Sequence, residues 1–163
     1  MAVRGTDKGV TLGQLALGVT QFKVDREVYA AGVANDIGLP GAFDPFAIMP
    51  TFNLRMDVEV ATIKHWDVRE TPRVELMVDV EYGEDCVWIE LWTYLYVMDG
   101  GQLLPLDSER SRTLALDIRG HVPMYEEFLE ILTSDEAIAH LEEVGPELIR
   151  QMGRSLAQWE LSH

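Results

Sequence analysis

The chain has 163 residues, 47% of them apolar and 25% charged, which suits one globular domain with a core of its own. Twenty-eight acidic residues against 13 basic ones give a formal net charge of −15, which sets the chain against phosphate backbones and anionic membrane surfaces. The one cysteine, Cys86, excludes an internal disulfide, and no window reaches the ~20 apolar residues of a membrane span.

Residues 1–10 are polar and glycine-containing, and read as a flexible or partner-ordered arm of a single domain spanning 1–163. The segment "MAVRGTDKGVTLGQLALG" has no long apolar stretch behind a basic head, so it does not read as a signal peptide. A cytoplasmic chain is expected, or one belonging to a particle assembled in the cytoplasm. Thr11 and Gln14 fit a capping box. Leu12, Leu15, Val19 and Phe22 follow at helical spacing, with Tyr29 and Val33 rejoining the stripe, so an N-terminal helix is expected. "TQFKVDREVY" also carries the alternation of a strand.

"NDIGLPGAFDPFAIMP" holds three prolines and reads as a loop. Its Phe43 and Phe46 are too apolar for a free linker, so the loop is expected to lie across its own core or a neighbour. From residue 51 the period becomes two. Phe52, Leu54, Met56, Val58 and Val60 alternate with polar residues, predicting one half-buried strand with a wet face. After the connection "HWDVRETPR", a second such strand is predicted from Val74, Leu76, Val78 and Val80.

"YGEDC" fits a hairpin whose two-residue loop is Gly83–Glu84. That loop sets Val80 opposite Val87 and Val78 opposite Ile89, and puts Trp88 across from Asp79 and Trp92 across from Glu75. The third strand, "CVWIELWTYLYVMD", is apolar on both faces. Val87, Ile89, Leu91, Leu95 and Val97 form one face, and Trp88, Trp92, Tyr94 and Tyr96 the other. "MDGGQLLPLDSERSR" reads as a long loop with an apolar knot, Leu103, Leu104 and Leu106. A short fourth strand is predicted from Leu114, Leu116 and Ile118.

The remainder reads as helical. Pro123 suits a helix start. Thr133 with Glu136 suggests a capping box opening a second helix, and Gly145-Pro146 is expected to end it and start a third. The fold expected is therefore α+β: a mainly antiparallel sheet of four or more strands packed against N- and C-terminal helices.

Chemistry-bearing patterns are sparse. Glu136, His140 and Glu143 share one helix face at a spacing that can present metal ligands, yet a solvated acidic face explains them more simply. Cys86 has no base partner in any motif and reads as a small buried hydrophobe. His65, His121 and His163 have no evident partner, and no phosphate loop or nucleophile elbow is present. No catalytic, cofactor or metal residue is therefore assigned.

Four aromatic side chains would each bury ~150–250 Å² if covered, more than a monomer usually leaves bare. Trp88, Trp92, Tyr94, Tyr96, Phe43 and Phe46 are accordingly the candidate protein interface. The expected function is a non-enzymatic assembly subunit of a particle such as a virion, a homo-oligomer or one part of a hetero-assembly. The alternatives are a holdase or adaptor using the same face, and a small ligand-binding protein or enzyme with its pocket between sheet and helices. Protein is the expected partner, with neither nucleic acid nor membrane.

Overall fold

The computed structural model describes residues 11–38, 41, 51–54, 56–57, 62–63, 73–83, 85–118, 120 and 123–162. The expected arm at 1–10, the Phe43/Phe46 loop and the connection around His65 lie outside them.

The expected α+β architecture is present. Elements run α1 (Leu12–Leu17), α2 (Arg26–Ile37), β1 (Thr51–Leu54), β2 (Met56–Asp57), β3 (Thr62–Ile63), β4 (Arg73–Tyr82), β5 (Cys86–Asp99), β6 (Gln102–Arg110), β7 (Leu114–Asp117), α3 (Tyr125–Leu132) and α4 (Asp135–Ser162). The main sheet is antiparallel in the order β1-β4-β5-β6, with β7 also paired to β5, while β2 and β3 form a separate two-stranded ladder. The single strand expected over Phe52–Val60 is thus divided: β1 pairs with β4 and β2 with β3.

At the centre lies β5. β4 runs along one side of it, and β6 followed by β7 runs back along the other. The turn from β5 into β6 is Gly100–Gly101, with φ of 58° and 80°. Two successive positive φ values are what a type I′ hairpin needs, and glycine adopts them without a Cβ penalty. "QLLPLDSER" is therefore a strand and not a loop. Pro105 suits this position because β6 is an edge strand, and the register shifts at Leu95/Tyr96, beside the proline.

The β4–β5 hairpin corrects the expected register. Gly83 N–H donates to the Cys86 carbonyl at 2.8 Å, so the ladder extends to Gly83 and Cys86. Val80 faces Ile89 and Val78 faces Leu91. Each partner has moved by two residues, so every side chain keeps its face.

α4 packs against β5, β6 and β7, and buries the aliphatic face. Val87, Ile89, Leu91, Leu95 and Val97 join Phe128, Leu132, Leu141, Ile149, Met152 and Leu156 in the core. Gly145-Pro146 does not end this helix, which runs 28 residues through Pro146. A Cβ at Gly145 would fall on the Phe22 ring, so the glycine is where Phe22 rests on the helix. The start of α4 is also corrected: Ser134 Oγ accepts from Ala137 N–H, whereas Thr133 Oγ1 donates to the Leu129 carbonyl of α3.

The N-terminal stretch is two helices with a laced connection. The Thr11–Gln14 capping box forms as expected. The stripe then breaks, because Asp25 caps a new helix by accepting from Glu27 and Val28 N–H. The segment between runs along α4. Arg150 donates to the Val19 carbonyl at 2.7 Å, Phe22 meets Gly145, and Val24 N–H donates to Glu142 at 3.1 Å. Tyr29 closes the core from α2, its hydroxyl donating to the Leu132 carbonyl at 2.6 Å, and burial pushes its pKa up.

Candidate functional site

The alternation of β5 sends every second side chain away from α4. Trp88, Trp92, Tyr94 and Tyr96 therefore share the outer face, as their spacing predicts. Trp88 is 40% exposed, and Trp92, Tyr94 and Tyr96 are half-buried. The rings support one another along the strand. Trp92 and Tyr94 stack at 6.1 Å between centroids with planes 9° apart, and Tyr94 and Tyr96 at 6.3 Å and 25°. The structure thus brings four of the six candidate residues onto one face, three of them stacked and Trp88 set apart beyond Glu90, while Phe43 and Phe46 lie outside the described residues.

The corrected register changes their neighbours. Trp88 faces Glu81 rather than Asp79, and Trp92 faces Met77 rather than Glu75. On the other side Trp92 faces Arg110, whose guanidinium lies 5.6 Å from the ring centroid. The indole N–H of Trp92 donates to Glu90 at 2.8 Å. Trp92 is therefore held by a cation on its face and a carboxylate at its edge. Glu90 also accepts from the Thr113 hydroxyl at 3.3 Å.

Thr113 belongs to the break between β6 and β7, which sequence reasoning missed. There a side chain stands in for backbone: Ser111 N–H donates to the Leu91 carbonyl at 2.8 Å, and Leu91 N–H donates to Ser111 Oγ at 2.9 Å. The Arg112 carbonyl takes Ser111 Oγ at 3.0 Å and His140 Nε2 at 3.1 Å. The serine and threonine of "SERSRT" were the available signal, since such residues replace ladder bonds locally.

His140 does not join Glu136 and Glu143 in a ligand set. It is buried on α4, and burial, ahead of its other influences, lowers its pKa. Glu143 is exposed and pairs with Arg112 at 2.5 Å, a contact that holds its carboxyl below the usual range. Among the described residues no group of three metal-ligating side chains occurs. Cys86 is half-buried at the hairpin end rather than buried. Desolvation, then the Asp85 and Asp117 carboxylates, raise its thiol pKa, which disfavours the nucleophilic thiolate.

Further apolar side chains are exposed beyond the ladder, at the β5–β6 hairpin end. Met98, Leu103, Leu104 and Leu106 are 38–46% exposed. Among the described residues no helix is long and apolar enough to cross a membrane. No family model, no curated protein and no solved structure matches the chain.

Proposed function

We propose that the chain is a non-enzymatic assembly subunit that docks onto protein, a second copy or another subunit, through the outer face of β5. The observation that carries this is the stacked, half-open ladder of Trp92, Tyr94 and Tyr96, with exposed Trp88 on the same face, on a sheet whose other face is already filled by α4. Aromatic side chains of this kind give large contact area at small entropic cost and concentrate at interfaces. The side chains best suited to chemistry support the reading from the other direction, because His140 is tied to a backbone carbonyl and the Cys86 thiol is pushed toward its neutral form. A net charge of −15 directs docking toward protein rather than nucleic acid or anionic lipid. A cytoplasmic setting, or a particle assembled there, goes with this reading.

The exposed leucines of the hairpin end favour a second reading, a holdase or adaptor that grips apolar segments across the same region. Light scattering on the purified chain tests between them. Assembly predicts a mass above the 18.4 kDa of one chain, falling to that value in Trp88→Ser/Trp92→Ser with the far-ultraviolet circular dichroism unchanged. An 18.4 kDa wild type that suppresses aggregation of other proteins supports the second reading. Unfolding of the double variant makes the rings core and removes both.

A further inference from the structure

Outside Trp88 lies a cavity of about 230 Å³, lined by Asp79, Glu81, Trp88, Ile89, Glu90 and Thr113. The register explains its charge. Asp79 is directly opposite Glu90, and Glu81 is directly opposite Trp88. Glu81 and Glu90 both border the Trp88 ring on this outer face, so a cation seated there would meet two carboxylates beside an indole. The protein carries its own example one step along the strand, where Arg110 lies over Trp92 and Glu90 holds the indole edge. Trp88 has the same acidic company, Glu90 included. Among the described residues no cation lies over Trp88 or against Glu81.

We propose that this cavity receives an arginine side chain of the docked protein. The inference rests on the docking reading and names the chemistry of its partner. A guanidinium fits better than an ammonium because its plane can stack on the indole while its fork meets a carboxylate. Glu81 and Glu90 flank the ring from neighbouring strands, so one side chain can use both contacts. The Thr113 hydroxyl bonded to Glu90 holds that carboxylate at the cavity edge.

The test uses the full chain labelled with nitrogen-15 and the probe acetyl-Gly-Arg-Gly-amide. Trp88→Phe assigns the Trp88 indole resonance among the four tryptophans. The expected result is a saturable shift of that resonance. Glu81→Gln/Glu90→Gln should weaken binding roughly tenfold, by loss of the charge-assisted contacts to the guanidinium. Asp36→Asn/Glu136→Gln removes the same charge from exposed positions elsewhere and should change affinity less than about twofold, as general screening alone requires. Glu81→Gln alone, at an exposed position, repeats the test where Glu90 proves necessary for folding. The proposal is overturned if the indole does not move, or if the two double variants weaken binding equally. Either result would leave the light-scattering test of docking untouched, so the two readings fail separately.

Discussion

The two faces of β5 carry the same alternation and similar apolar content, yet the molecule treats them differently. Toward α4, Val87, Ile89, Leu91 and Leu95 are fully buried. Away from α4, Trp88 is 40% exposed and Trp92, Tyr94 and Tyr96 are only half-buried. Even the polar residue of the inner face, Thr93, is sealed, its hydroxyl 3.4 Å from the Glu109 carbonyl. An apolar side chain is thus committed to the core by the element above it, not by its own hydrophobicity. The inner face serves stability, and the outer face stays partly open.

The sharpest way to break this comparison is to truncate one residue on each face. Leu91→Ala, at a fully buried site, should cost ~3 kcal/mol in urea unfolding, from lost transfer energy and the cavity left behind. A cost below ~1 kcal/mol would mean that the inner face is not the core it is taken to be.

The His140 latch offers a second, pH-dependent probe of the inner side. Burial holds the folded pKa of His140 below the ordinary 6.5. The unfolded chain therefore takes up the proton first as pH falls, and stability drops from about 6.5 down to the lowered folded value, then levels off. Above that window the contribution is fully present. His140→Gln should flatten this part of the profile while leaving the Arg112 carbonyl a donor. A variant with an unchanged slope would place the titration elsewhere.

The smallest effect is expected outside. Trp88→Ser should change the unfolding free energy by less than ~1 kcal/mol, because nearly half of the side chain is already wet. Its measurable consequence should be reduced association, read as a lower mass in light scattering. A stability loss rivalling that of Leu91→Ala would erase the distinction between the faces.

Much of the site was legible because period-two alternation needs no tertiary knowledge. The four aromatics of the β5 face could be grouped from spacing alone, and the face survived a two-residue error in register because parity is unchanged by an even shift. Their neighbours did not survive it, so the Glu81 and Met77 pairings emerged only from the structure. β6 was hidden for another reason. Its proline and glycines carry the local signature of a loop, and only pairing with β5 gives them a place at an edge and in a type I′ turn. Likewise Gly145-Pro146 is a local stop signal that packing against Phe22 and the sheet overrides.

By itself the sequence determined the α+β class, which residues share a face, the Thr11 cap and the acidic balance, since each depends on local spacing or on summed charge. Tertiary structure decided where helices stop, which residues stand opposite one another, and which of two equally apolar faces is covered. Those outcomes depend on contacts between residues far apart in the chain, such as Phe22 with Gly145 and Arg112 with His140, whose energies no local window contains.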